Sequence, residues 1–249
     1  MIVLALDSSA AASVALVERA PDGTETVLAS RTEFAARKHA EFLGPALRAV
    51  MGGAPAPEAV VAGVGPGPFT GLRAGIATAI GYAIGIDAPV YGVPSHEGLA
   101  LRVYEEAGVP ADTPLLVATD ARRKEVYWTL FGASEGGLPR TVAGPEVSAP
   151  AVLAGASAGS GAEDGAPGTG RVDLSDPGLH RVGRGFALYP DVLGEPADAS
   201  PEALEPVAEW LAKVALRRLA AGEELLPPTP LYLREADAKP ATPRTSVLK

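Results

Sequence analysis

The stretch Ile2-Val3-Leu4-Ala5-Leu6-Asp7-Ser8-Ser9-Ala10-Ala11-Ala12-Ser13-Val14-Ala15-Leu16-Val17 decides how this chain is read. A short apolar run stops at an acid, turns through small residues and resumes as a second apolar run, the pattern of a β-hairpin. The theme returns later. Leu115–Asp120 is again an apolar strand closed by an acid, and Glu125–Phe131 is again a strand, rich in β-branched and aromatic residues. Leu4-Ala5-Leu6-Asp7 laid on Val117-Ala118-Thr119-Asp120 matches at Ala and Asp. Two matches alone mean little, but the repeated strand, acid, turn, strand context points to a duplicated lobe.

Working outward from the first hairpin, Thr26–Thr32 extends it to a three-stranded meander. From Lys38 the period changes: Leu43, Ala46, Leu47 and Val50 recur every three to four residues, which predicts an amphipathic helix over 38–51 with a kink or late start at Pro45. Ala59–Val64 reads as a buried strand, Gly71–Gly85 as a helix of small residues, Pro89–Val93 as a strand and Ser95–Glu106 as a helix. Gly155–Gly170 is a Gly/Ala/Ser tract without periodicity, expected to be a flexible loop. Pro201–Ala221 reads as one helix whose Leu204, Val207, Leu211, Val214 and Leu219 share a face. The tail is expected to pack at Leu231–Leu233 and to fray beyond Asp237. The division this predicts is an N-terminal lobe over 1–107 completed by helix 201–221, a reduced C-terminal lobe over 108–200 and a tail over 222–249.

Composition narrows the function. With 249 residues, 47% hydrophobic and 20% charged, the chain can bury a core. It has no cysteine, so disulfides, thiolate zinc sites and Cys nucleophiles are excluded. The net charge of −9 makes a poor stand-alone nucleic-acid binder. The N-terminus lacks a basic region and reaches Asp7 at once, and Gly65-Pro66-Gly67-Pro68 interrupts the long uncharged stretch around Arg73; a cytoplasmic protein is expected.

Several segments can carry chemistry, each with a plainer reading beside it. Asp7-Ser8-Ser9 at a turn can hold a hydrated metal or receive a phosphate, or it can simply satisfy turn amides. Gly65-Pro66-Gly67-Pro68-Phe69-Thr70-Gly71-Leu72-Arg73 puts a Gly-rich loop before a helix, but its spacing is neither a Walker loop nor a dinucleotide fingerprint. Arg73, alone in its uncharged surroundings, calls for an anionic partner: a ligand or a structural salt bridge. The residues for nucleotide or phosphate contact are then Asp7, Ser8, Ser9, Gly67, Thr70, Arg73 and Asp120. Along the helix, Gly71, Gly75 and Ala79 form one small-residue face and Ala77, Gly81 and Gly85 a second. One face suits a sheet; the second suits another helix, in this chain or another. His39, His96 and His180 show no ligand spacing and are expected at the surface or as caps. The basic run Arg122-Arg123-Lys124 reads as a solvated turn or a phosphate contact.

Taken together, Met1–Val17, the run from Val61 through Gly65-Pro66-Gly67-Pro68-Phe69-Thr70-Gly71-Leu72-Arg73, Val90-Tyr91-Gly92-Val93-Pro94-Ser95, Thr119-Asp120-Ala121-Arg122 and Pro230-Leu231-Tyr232-Leu233-Arg234-Glu235-Ala236-Asp237-Ala238 resemble the bacterial TsaB (YeaZ) family. The resemblance implies an α/β, two-lobed actin-like ATPase/Hsp70/sugar-kinase fold with duplicated lobes, the second reduced. It also implies a part in forming N6-threonylcarbamoyladenosine at position 37 of tRNAs that read ANN codons. In that family TsaD is the transferase, TsaB its non-catalytic partner, and the ATPase TsaE binds the pair. The His-x-x-x-His metal motif of TsaD falls here on Ser95 and Leu99, which are not zinc or iron ligands. The implied interface lies on helices 38–51 and 71–85, with Leu43, Leu47, Ala74, Thr78 and Tyr82 facing TsaD or, in its absence, a second copy of this chain. The implied cofactor is none of the chain's own, with ATP or ADP at the partner interface and tRNA only indirectly bound. The alternative is a small-molecule kinase of the same fold using Asp7, Asp120 and the 65–71 loop.

Overall fold

The structure is a computed structural model of the chain, and it describes residues 1–34, 39–155 and 172–234. The first half runs β1 (Ile2–Asp7), β2 (Ala12–Arg19), β3 (Glu25–Glu33), α1 (His39–Met51), β4 (Ala59–Gly63), α2 (Phe69–Ile86), β5 (Val90–Val93) and α3 (Ser95–Glu106). The second runs β6 (Leu115–Asp120), β7 (Val126–Glu135), β8 (Leu138–Ser148), α4 (Pro150–Leu153), β9 (His180–Val182), α5 (Arg184–Leu188), α6 (Pro190–Leu193), α7 (Pro201–Leu204) and α8 (Ala208–Ala220). One sheet has the order β3-β2-β1-β4-β5 and the other β8-β7-β6-β9.

The duplication is visible in the pairing. β1 runs antiparallel to β2 and parallel to β4, with Asp7 opposite Ser13. β6 likewise runs antiparallel to β7 and parallel to β9, with Asp120 opposite Val126. Each lobe thus ends its central strand in an aspartate, on a two-lobed α/β plan.

β1 is apolar up to Asp7 because both of its faces are covered. Leu4 and Leu6 meet α1 and α2 through Leu43, Ala46, Val50, Leu72, Ile76 and Ala79. Val3 and Ala5 meet α8 through Trp210, Leu211 and Val214. In the second sheet Leu115, Val117 and Phe131 pack on Leu99, Ala100 and Val103 of α3, while Leu116, Ala118 and Trp128 pack on Leu153, Phe186 and Leu193. α8 on the first sheet and α3 on the second press together between the lobes. They meet so closely that a Cβ on Gly98 would lie 2.7 Å from Leu211 Cδ1.

The structure corrects several expectations. α1 runs unbroken through Pro45 from His39, its side-chain face being held by the sheet; Lys38 lies outside the described residues. The expected helix 201–221 is two: Glu205 is extended (φ −128°, ψ 140°), as the residue before Pro206 is driven to be, and α8 starts afresh at Ala208. β8 and β9 were not anticipated. Irregular register between β7 and β8 at Trp128–Phe131 breaks the period-two pattern, and β9 has only three residues. The Gly-rich tract falls, beyond Gly155, outside the described residues, as does the tail from residue 235. Leu231 does pack against the first lobe, its N–H donating to Val64 O at 2.8 Å.

Candidate functional site

The turn after β1 is tied down by its own neighbours. Asp7 is wholly buried, and its carboxylate accepts from Ser95 Oγ at 2.6 Å, Ser9 Oγ at 2.7 Å and Ser9 N at 2.9 Å. Burial raises its pKa above the ordinary carboxylate value, opposed by the Ser95 and Ser9 hydrogen bonds. Ser95 Oγ also accepts from Gly65 N at 3.2 Å, so the loop before α2 and the start of α3 are fastened to the same acid. Ser95 is therefore an anchor for Asp7, and Leu99 is core.

Ser8 performs the matching task for α2. Its hydroxyl donates to Gly71 O at 2.7 Å and accepts from Gly75 N at 3.1 Å. The missing side chains make this possible: a Cβ on Gly71 would lie 2.6 Å from Ser8 O, and one on Gly75 would overlap Ser8 Oγ. Gly67 is similarly close, its Cβ position lying 2.6 Å from Ser9 O. The loop 65–71 thus lies directly on the Asp7 turn. The Gly71/Gly75/Ala79 face is explained by this contact.

The other face of α2 is open. Ala77, Gly81, Ile84 and Gly85 are exposed, Ile84 to 75%, and Ala74, Thr78 and Tyr82 are half-buried beside them. A Cβ on Gly81 or Gly85 would meet nothing within 4 Å. Of the other residues named for an interface, Leu47 is half-buried, but Leu43 is fully buried in the first lobe's core and faces the sheet. That is a correction. One helical turn apart, Leu43 and Leu47 read alike, and only the packing of α1 on β2 tells them apart.

The remaining sequence-named residues are scattered. Thr70 is exposed on the first turn of α2. Arg73 finds aromatic partners where an anion was expected: it lies 4.0 Å over the Phe69 ring, which stacks on Tyr232 at 4.2 Å, and its Nε donates to Tyr232 Oη at 2.8 Å. Asp120 accepts from Arg122 N at 2.7 Å and pairs with Arg122 Nη1 at 2.8 Å. Close to it lies Glu205, which no motif marked, paired with Arg184 at 3.1 Å; burial first, against that arginine, pushes Glu205 up to about 7. Asp120 belongs with this group and makes no hydrogen bond or ion pair with Asp7.

His96 also differs from expectation. It is 1% exposed between the lobes, with Nδ1 2.9 Å from Thr129 Oγ1 and Nε2 2.9 Å from Thr119 Oγ1. Hydroxyls both donate and accept, so either neutral tautomer is satisfied. Burial lowers its value to about 3. Its neighbour Glu97, raised by burial and opposed by Arg218, pairs with Arg218 Nη2 at 2.8 Å. No sequence signal separates such a buried histidine from a surface one.

These features define a two-lobed α/β protein whose buried aspartate, Asp7, is occupied by its own serines. The family model described as "TsaD: tRNA N6-adenosine threonylcarbamoyltransferase" matches residues 26–241. An uncharacterized protein of Mycobacterium tuberculosis is 38% identical over 242 residues, covering 96% of this chain and 94% of that one. The Escherichia coli tRNA threonylcarbamoyladenosine biosynthesis protein TsaB is 29% identical, covering 94% and 95%. The crystal structure of YeaZ from Pseudomonas aeruginosa matches with a TM-score of 0.68 at 32% identity, covering 93% and 99%. The chain belongs to the TsaD family and, within it, is TsaB-like (YeaZ-like).

Proposed function

We propose that this chain serves in N6-threonylcarbamoyladenosine formation as a non-catalytic subunit that binds and activates the transferase TsaD, with the ATPase TsaE joining the pair. The observation that carries the reading is the outer face of α2, uncharged beyond Arg73. Ala74, Ala77, Thr78, Gly81 and Gly85 leave its backbone open to close approach, and Ile84 is exposed to 75%. A helix from another chain fits such a surface at short interaxial distance, and burying Ile84 contributes about 1.5–3 kcal/mol. Leu47 on α1 and Thr78 and Tyr82 on α2 are the side chains placed to meet it, and a second copy of the chain takes the same surface when TsaD is absent. The closed Asp7 turn supports a scaffold over a small-molecule kinase, since Ser9 and Ser95 already occupy the carboxylate that such a kinase would turn toward its nucleotide. ATP or ADP, where it enters the assembly, sits at the partner interface, in the cytoplasm where the tRNA is modified.

Reconstitution with TsaD, TsaE, the threonylcarbamoyl-adenylate synthase and substrate tRNA tests this. Omitting the chain should abolish multiple-turnover modification, and Thr78→Arg with Tyr82→Glu should do the same by preventing co-elution with TsaD. Asp7→Asn and Asp120→Asn should leave the turnover of folded protein unchanged. Essential aspartates would instead support nucleotide chemistry in this chain.

A further inference from the structure

Gly71 O and Gly75 N are the acceptor and the donor of one i→i−4 rung of α2. The hydroxyl of Ser8 lies across them, donating to the first at 2.7 Å and accepting from the second at 3.1 Å. A side chain set into the ladder is one of the few causes of a bend in a helix. Ser8 is 1% exposed, so it acts on α2 from beneath and meets no partner chain itself. Three residues further along, on the outer side, Thr78 Oγ1 donates to Ala74 O at 2.7 Å, a second contact of the kind that bends helices.

These two contacts divide α2. Before them, the first turn is held by the tail: Phe69 stacks on Tyr232, and Arg73 Nε donates to Tyr232 Oη at 2.8 Å. Beyond them runs the stretch 77–86, with Gly81, Ile84 and Gly85 on its open face. The direction of that stretch is set at the Gly71–Gly75 rung. Ser8 can set it because its own backbone is fixed on both sides. Asp7 before it is held by Ser95, and Ser9 after it donates to Asp7 through both N and Oγ. The same turn reaches α1, where His39 Nε2 lies 3.1 Å from Ala10 O. The turn from Asp7 to Ala10 thus places both helices that carry Leu47, Thr78 and Tyr82.

We propose that Ser8 is a positioning residue for partner docking, its hydroxyl fixing the direction in which α2 presents its open face. The proposal rests on the reading that this face receives the transferase, and it adds a residue that acts on the contact from the far side of the helix. A positioning hydroxyl and a merely structural one differ measurably. Removing a buried hydroxyl ordinarily strands its partner and costs stability. Here the two groups left behind are each other's natural partners. Without Oγ, Gly75 N–H closes on Gly71 O, the ladder becomes regular and the body of the helix turns away. Stability is kept, and the face is misdirected.

The test sets Ser8→Ala beside Ser13→Ala, whose lost hydroxyl accepts from Ala208 N at 2.8 Å at the start of α8. Each variant is titrated calorimetrically with TsaD and unfolded in urea. Ser8→Ala should keep the wild-type urea midpoint and bind TsaD about 3–30-fold more weakly. Ser13→Ala should lower the midpoint and leave the affinity unchanged. The crystal structure of Ser8→Ala should show residues 77–86 running in a changed direction. Unchanged affinity of Ser8→Ala for TsaD would overturn the proposal, whatever its midpoint. Should affinity and midpoint fall together, the crystal structure decides, and an unmoved 77–86 stretch overturns the proposal. Should wild type itself fail to bind TsaD, the docking reading has failed separately, and the same crystal structure then decides whether Ser8 directs α2.

Discussion

His96 gives the sharpest quantitative expectation. Its imidazole is sealed between Thr119 and Thr129 with 1% exposure, and burial holds it near 3. In the unfolded chain it titrates near 6.5. The group's contribution is therefore complete above pH 6.5 and is lost as pH falls toward 3, because the unfolded chain takes up a proton the folded one refuses. At about 1.36 kcal/mol per pH unit, acidification from 7 to 5 withdraws about 2 kcal/mol through this one residue. His96→Gln keeps an amide near the threonines and does not titrate. At pH 7 it should be less stable than wild type by about 1–3 kcal/mol, from packing and imperfect hydrogen bonds. By pH 5 that gap should shrink by about 2 kcal/mol, read from urea midpoints across the range. Other titrating groups are common to both proteins and cancel in the difference. A gap that stays constant from pH 7 to 5 would refute the reasoning, since it would mean that His96 protonates as easily folded as unfolded.

Glu205 should act with the opposite sign: raised to about 7, it makes stability fall as pH rises from about 4.5 to 7, by roughly 2–3 kcal/mol, and Glu205→Gln should flatten that part of the profile. Gly75→Ala should cost at least about 2 kcal/mol by forcing Ser8 aside, whereas Gly81→Ala, with open space around it, should gain up to about 1 kcal/mol. Thermal melts of the two would expose a wrong assignment of the helix faces if both moved the same way. Ser95→Ala takes a donor from the buried Asp7 carboxylate and should cost about 1.5–3 kcal/mol in chemical denaturation, with no rescue from Ser9, which already binds the other oxygen.

The first lobe was legible because each of its elements carries a signal matched to its length. β1 and β2 are long apolar runs around a small-residue turn, and α3 has the boundaries its pattern predicts. The second lobe was less so. Its sheet depends on a strand with irregular register and another of three residues, and α4, α6 and α7 are four-residue helices announced only by a leading proline. At the site, the glycines of α2 told that something comes close, but not that it is Ser8. Arg73 read as awaiting an anion because its aromatic partner Tyr232 is 159 positions away. His96 and Glu205 were invisible for the same reason: burial between lobes is a property of the whole fold, and no local spacing encodes it.

One consequence of the layer order concerns the ribosome. Val3, Ala5, Val17, Ala59 and Val61 form a wholly apolar sheet face whose cover is α8, made only after every other strand and helix of the fold. Throughout translation of the second lobe that face has nothing of its own to pack on, and contacts of such long sequence separation form slowly. The nascent chain is thus a natural client for a chaperone, and its first lobe cannot mature in the vectorial order in which it is made.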